Sequence, residues 1–244
     1  MNKNIGIIGY GEIGSAVYSV YIEHTNNVFV RDLDRDDGLK DINILNISIP
    51  YSDRFIEICS NYIDQYKPTD FVIIHSTVIP GTTKKLIENT GFQNIVHSPV
   101  RGIHPKLYDG LKTFTKFVGT ENEPLADLVV QHYRELGINA EHIPDSTSTE
   151  LAKILSTTYY GMCIAWHGYA HELCLKHGVM FNDVMTKFNE TYNEGYKKLG
   201  KENVVRPVLY PPGEKIGGHC VIPNTELLKT LSDSEVLDFI LRFK

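Results

Sequence analysis

Through the first 145 residues, apolar side chains come in short unbroken runs that alternate with stretches of helical spacing. The run from Asn4 to Tyr10 predicts a buried strand, and Glu12 to His24 predicts the helix after it. Further strands are expected at Asn27–Asp32, Ile42–Pro50, Asp70–Ser76, Asn94–Pro99 and Phe114–Thr120. Helices are expected over roughly Ser52–Tyr66, from Pro80-Gly81 through about Asn89, and over roughly Pro124–Leu136. Continuous apolar runs bounded by turn residues are the mark of strands buried on both faces. Alternation with helices predicts a mostly parallel sheet covered on both sides.

After "HIPDSTSTE" the pattern changes. Leu151, Ile154, Leu155, Tyr159, Met162, Ile164 and Trp166 recur at helical spacing, and only Gly161 and Gly168 interrupt. This predicts one helix of about thirty residues, capped by Ser146 to Thr149 and stopped at Gly178. A second helix is expected over Phe181–Leu199, then a loop rich in glycine and proline, then a short helix from Thr225. The expected boundary falls near Asp145, between an α/β domain over residues 1–145 and a smaller all-helical domain with a long central helix over residues 146–244.

Composition narrows the partners. The net charge is −6 and lysines and arginines form no stripe, which argues against nucleic acid or an anionic membrane. Cys59, Cys163, Cys174 and Cys220 are scattered without a CxxC pair, so neither a disulfide framework nor a zinc knuckle is indicated. No signal peptide and no membrane-length apolar run is present, so a cytoplasmic location is expected. His167 and His171 lie four apart with Cys174 beyond, but no carboxylate set completes a metal site, and none is expected.

"GYGEIG" sets Gly9, Gly11 and Gly14 in GxGxxG spacing between the first strand and its helix, and the second strand ends at Asp32. That context is the dinucleotide fingerprint of a Rossmann-type domain: a tight turn at Gly9, close backbone approach at Gly11, and helix-on-strand packing at Gly14. Asp32 is placed to accept hydrogen bonds from a ribose, which favours NAD over NADP, although Arg31 stands beside it. "HSTVIPGTT" puts hydroxyl residues, Thr77 among them, at the carboxyl end of the fourth strand, where such sheets bind ligands. Helix capping accounts for one of Ser76 and Thr77, and less well for Thr82 and Thr83. "HSPVRGIHPKLYDG", with Arg101 and His104, reads as an ordered loop at an interdomain cleft or as a solvated one. "YPPGEKIGGHCVIPN" holds Cys220 behind Gly217 and Gly218, either as a small buried hydrophobe or as a nucleophile.

Four stretches in this order, "GIIGYGEIG", "HSTVIPGTT", "HSPVRGIHPKLYDG" with "ELAKILSTTYYG", and "PPGEKIGGHCVIP", resemble the nucleotide-sugar dehydrogenases, which oxidise UDP-glucose or GDP-mannose to uronic acids. The resemblance implies NAD as cofactor, a sugar or nucleotide-sugar substrate, and a homodimer through the long helix. It makes Cys220 the nucleophile that captures an aldehyde, Lys153 the cation that stabilises the developing oxyanion, and Thr77 a holder of the catalytic water. Thr157, Arg101, His104, Gly217, Gly218 and Asn224 are then the substrate-side residues.

The chain departs from the family pattern at three points: Val100 replaces a glutamate, Thr157 an asparagine and Asn224 an aspartate. The family's C-terminal domain has no counterpart after the cysteine loop. The expectation is an NAD-dependent oxidation of a primary alcohol with an impaired second step. The alternatives are an inactive NAD-binding homologue, or a single-step hydroxyacid dehydrogenase of the 6-phosphogluconate-dehydrogenase type using Lys153.

Overall fold

In a computed structural model describing residues 3–244, seven strands form one sheet in the order β2-β1-β3-β4-β5-β6-β7. The strands are β1 (Ile5–Ile8), β2 (Val28–Arg31), β3 (Ile44–Ile47), β4 (Phe71–Ile74), β5 (Ile95–His97), β6 (Lys116–Gly119) and β7 (Ala140–Ile143). All neighbours pair in parallel except β5 and β6, which meet antiparallel at His97 and Gly119. The helices between them are α1 (Glu12–Ile22), α2 (Phe55–Tyr66), α3 (Thr82–Thr90), α4 (Leu107–Thr113) and α5 (Glu123–Glu135).

The alternation of side chains along each strand builds two cores, one on each face. Ile5 and Ile7 of β1, Ile44 of β3, and Phe71 and Ile73 of β4 pack against α1, α4 and α5. Ile8, Leu45, Ile47, Val72 and Ile74 turn the other way, onto α2 and α3. β1 lies between β2 and β3, so the chain reverses its direction of travel across the sheet there. The crevice of such a sheet opens at the carboxyl ends of the two strands flanking that reversal.

Two elements depart from expectation. The stretch expected as a loop over His97–Gly110 carries the start of α4, whose Leu107 and Leu111 join the first core. β7 is an edge strand whose Glu141 is exposed and whose His142 is half-buried, which left too few apolar positions to announce it.

The chain divides into two compact units, the first ending at Lys153 and the second being Ile154–Lys244. The division falls inside the long helix α6 (Ser146–His177), whose 32 residues match the predicted length, with Gly178 at φ +67 ending it. In the second unit, a π-helical turn (Asn182–Thr186) leads into α7 (Lys187–Lys198), and α8 (Val221–Lys229) and α9 (Glu235–Leu241) follow. The expected start of the short helix at Thr225 is four residues late. Pro223 sits in the first turn of α8, where a missing N–H costs nothing, so it does not break the helix. Gly161 and Gly168 are packing positions rather than breakers: a Cβ would meet Val221 Cγ1 at 2.5 Å in the one case and Phe243 Cε1 at 2.6 Å in the other. Among the described residues, no helix is long and apolar enough to cross a membrane.

Candidate functional site

The glycine turn follows β1. Gly9 holds φ +88, and a Cβ there would stand 2.8 Å from the carbonyl oxygen of Ser48. Gly11 precedes α1 and has nothing within 4 Å of its Cβ position, so that side of the turn is open backbone. At Gly14 a Cβ would lie 1.8 Å from the Gly9 oxygen. The three glycines thus serve turn, approach and packing in that order. Gly14→Ala is expected to destabilise the fold by about 3 kcal/mol, lowering the melting temperature by ~6–12 °C, because rigid backbone blocks the methyl. A thermal melt followed by circular dichroism measures it.

Asp32, one residue past β2, accepts hydrogen bonds from the Tyr10 N–H and, at 2.6 Å, from the Leu33 N–H, so its carboxylate is drawn back onto the glycine turn. Both nearby arginines are engaged by acids. Arg31 pairs with Asp36 at 3.0 Å, and Arg35 pairs with Asp37 at 2.7 Å while stacking 4.6 Å from the Tyr10 ring centre. The Arg35 guanidinium holds the Asp37 carboxyl below the usual carboxylate range.

Past β4, the Ser76 hydroxyl donates to the Ile49 carbonyl at 2.6 Å, tying the carboxyl ends of β3 and β4 together, and Thr77 follows half-buried. Thr82 and Thr83 serve the start of α3. The Thr82 hydroxyl donates to Ile79 O at 2.6 Å, and Glu150 of α6 accepts from the Thr83 hydroxyl at 2.6 Å and from the Gly81 and Thr83 N–H groups. The cap of α3 is therefore the Glu150 carboxylate, sixty-seven residues from Thr83, and the two hydroxyls donate to Ile79 and Glu150 rather than capping the helix. Desolvation raises the Glu150 pKa.

Beneath this edge lies a buried set of bases. His75 Nε2 faces Asn46 Oδ1 at 3.0 Å, and its Nδ1 lies 3.2 Å from Lys116 Nζ. The Asn46 amide nitrogen is used on Gly6 O, so His75 donates through Nε2 and accepts at Nδ1 from Lys116, which also donates to Ser98 O. His97 Nε2 donates to Ser76 O at 3.1 Å, which leaves Nδ1 to accept from the Thr149 hydroxyl at 2.8 Å. Burial holds these bases uncharged: it pushes His97 down to about 3 and His75 well below the usual histidine value. Lys116 is also pushed well down, by burial first and then by the charges of Lys153 and Arg101. An interior lysine in "TKFVG" was open to detection, since its register on β6 points it inward.

Lys153 donates to the Val100 carbonyl at 2.8 Å, so the segment that lacks the family's glutamate side chain supplies a backbone acceptor instead. Arg101 is turned onto the Thr115 carbonyl at 2.7 Å and packs 4.7 Å from the Phe117 ring centre. His104 reaches Glu12, the first residue of α1, through Nδ1. In the first unit, Gly9, Gly11 and Thr77 stand on strand-end turns with Gly14 just inside α1, the Tyr10 N–H holds Asp32 against the glycine turn, His104 reaches Glu12, and Arg101 is spent on backbone.

In the second unit, Gly217 and Gly218 are exposed, and Gly218 at φ +85 has the conformation that favours glycine. The loop is anchored by Ile216, whose N–H donates to Phe243 O at 2.7 Å. Cys220 is half-buried and immediately precedes α8, and Asn224 donates its N–H to the Cys220 carbonyl at 3.0 Å from a buried position one turn on. Thr157 lies half-buried on α6.

A mostly parallel sheet with a fingerprint glycine turn at its reversal point, followed by a helical unit with a cysteine at a helix start, defines a Rossmann-type architecture. In sequence the chain is similar to nucleotide-sugar dehydrogenases, and its fold matches that of their solved structures. It is 26% identical over 156 residues to UDP-N-acetyl-D-mannosamine dehydrogenase of Methanococcus maripaludis strain C7, covering 64% of this chain and 34% of that protein. To the Pyrococcus horikoshii enzyme of the same name it is 25% identical over 215 residues, 80% of this chain and 48% of that one. The chain therefore matches less than half the length of these curated relatives. The solved P. horikoshii structure superposes with a TM-score of 0.82 at 19% identity, over 98% of this chain and 68% of that chain. Mycobacterium tuberculosis 3-hydroxyisobutyrate dehydrogenase superposes at 0.72 and 14% identity, over 99% of this chain and 92% of that chain. No protein-family model matches the chain.

Proposed function

We propose that the protein is an NAD-dependent oxidoreductase that oxidises a primary alcohol on a sugar-type substrate, with Cys220 as nucleophile. The observation that carries this reading is the position of Cys220: it follows a glycine pair, stands at the start of α8, and lies in the stretch most like the family. Partial positive charge at a helix start favours the thiolate, the nucleophilic form of cysteine.

NAD would be held by Gly9, Gly11 and Gly14 at the pyrophosphate and by Asp32 at the ribose, and it supplies the hydride acceptor. The fit rests on the open backbone at Gly11 and on the acid partners of Arg31 and Arg35, which leave Asp32 to repel a 2′-phosphate. Removal of a hydride and a proton from the alcohol gives an aldehyde. The Cys220 thiolate adds to its carbonyl carbon, and Lys153 stabilises the oxyanion of the resulting thiohemiacetal. Loss of a second hydride gives a thioester, and water held through Thr77 cleaves it to the acid, releasing the thiol. Val100, Thr157 and Asn224 stand where the family carries polar or acidic groups, so the hydrolytic step is slow. Two copies associate through the long helix, where Leu155, Tyr159, Tyr160 and Trp166 are exposed.

Incubation with NAD and a panel of sugars and nucleotide sugars tests the reading. NADH is expected from at least one of them. None from any, in protein shown by calorimetry to bind NAD, leaves the inactive NAD-binding homologue as the answer. A second reading, a single-step hydroxyacid dehydrogenase using Lys153 as acid and base, draws on the near end-to-end fold match to 3-hydroxyisobutyrate dehydrogenase.

A further inference from the structure

We infer that the second unit carries a small-molecule site of its own, shaped for an aromatic carboxylate that also brings a hydrogen-bond donor. A cavity of about 510 Å³ lies between α6, α7 and the segment after α7. That is within the range of pockets that enclose small organic ligands. Its walls are largely apolar, with Met162 and Trp166 from α6 and Phe188 from α7, which suits a flat hydrophobic body.

Among the polar residues of the lining, Asn189 is paired, while one atom each of His167 and of the half-buried Arg206 is buried without a hydrogen-bond partner. His167 is 3% exposed, and its Nδ1 lies 2.6 Å from the Cys163 carbonyl. A carbonyl only accepts, so Nδ1 carries a proton, and in the neutral tautomer this fixes, Nε2 is a bare acceptor. Nε2 is the atom left unpaired. The second group is Arg206, whose Nη1 is an unpaired donor on a cation.

Arg206 is not a surface side chain in a chance pose. Its N–H donates to Asn193 Oδ1 at 2.8 Å, and the Asn193 amide donates back to its carbonyl at 2.9 Å. Asn189 donates to the carbonyl of the following Pro207 at 3.0 Å. Its guanidinium stacks 3.9 Å from the Tyr192 ring centre and 5.3 Å from that of Tyr196. An irregular segment is thus stapled to α7 by three side-chain hydrogen bonds and presents a cation at an apolar cavity. Buried polar groups are almost always paired, so an unpaired acceptor and an unpaired cationic donor on one cavity specify what the ligand brings. A carboxylate satisfies the arginine, and a hydroxyl or N–H satisfies the histidine.

Trp166 lines the cavity and is the only tryptophan of the chain, so its emission reports on this site alone. The test titrates the full chain with 4-hydroxyphenylacetate, with phenylacetate, which lacks the donor, and with tyramine, which carries a cation in place of the carboxylate. A saturable change in Trp166 emission is expected with the first, about tenfold weaker binding with the second, and none with the third. Cys163 lines the same cavity, and its alkylation should slow several-fold when 4-hydroxyphenylacetate is bound. Arg206→Met, shown by circular dichroism to be folded, should abolish the response. No response to any of the three probes, or the same response to all three, overturns the site. Undiminished binding by folded Arg206→Met does so as well.

Discussion

Lowering the pH from 7 to 5 is expected to remove about 4 kcal/mol or more from the stability of the first unit, a large share of the stability of an ordinary protein. The cause is the set of buried imidazoles. Burial pushes His97 down to about 3 and His132 to about 4, and takes His75 well below its usual value. All three have folded pKa values below the unfolded one, so below about pH 6.5 the unfolded chain binds protons that the folded chain refuses. Their contribution is fully present above that pH and is lost as pH falls. Each histidine costs ~1.4 kcal/mol per pH unit in that window, so His97 and His132 together give about 3 per unit, and His75 adds to the loss with the same sign. The loss ends for His132 near 4 and for His97 near 3.

Lys116 acts with the same sign from its ordinary value downward, so raising the pH above 7 should stabilise the fold until Cys59, pushed up to about 12 by burial, begins to oppose it. Urea titrations read by circular dichroism at pH 7, 6 and 5 measure the slope, and a midpoint that does not move over that range refutes it. Trp166 emission followed alongside separates the second unit, where it lies, from the first.

Those bases were the least legible part of the sequence. His75 and His97 read as the ends of strands, and although the strand register marks Lys116 as interior, nothing local says that three bases converge on one place from β4, β5 and β6. Glu150 was hidden for the same reason: it serves an N-terminus sixty-seven residues earlier. Gly9 and Gly14, by contrast, were legible, because Gly14 answers a constraint set five residues away and Gly9 one set by an adjacent strand. The long helix was legible to within two residues of its start, since its cap residues and Gly178 are local signals. α8 begins four residues before the expected Thr225, with Pro223 inside its first turn, where a helix accepts a proline.

Cys220→Ala is expected to lower the steady-state rate of NADH formation by at least ~10²-fold while leaving NAD affinity and melting temperature unchanged. The thiol is half-buried and stands outside both cores of the first unit, so its removal leaves little cavity. On the proposed reading, the slow step in the unmodified protein is hydrolysis. Mixing enzyme, NAD and substrate should therefore give a burst of NADH followed by a slower steady rate, with a thioester on Cys220 that hydroxylamine cleaves and mass spectrometry detects. Lys153→Met should slow the burst itself, by ~10²–10³-fold, because the oxyanion loses its cation before the thioester forms. The two variants thus act on different phases, which a merely structural role for either residue would not produce. If Cys220→Ala keeps its rate while Lys153→Met loses it, the chemistry is a single oxidation with the lysine as acid and base, and the cysteine only lines the site. If both keep their rates, neither residue belongs to the reaction, and the glycine loop before α8 serves the fold alone.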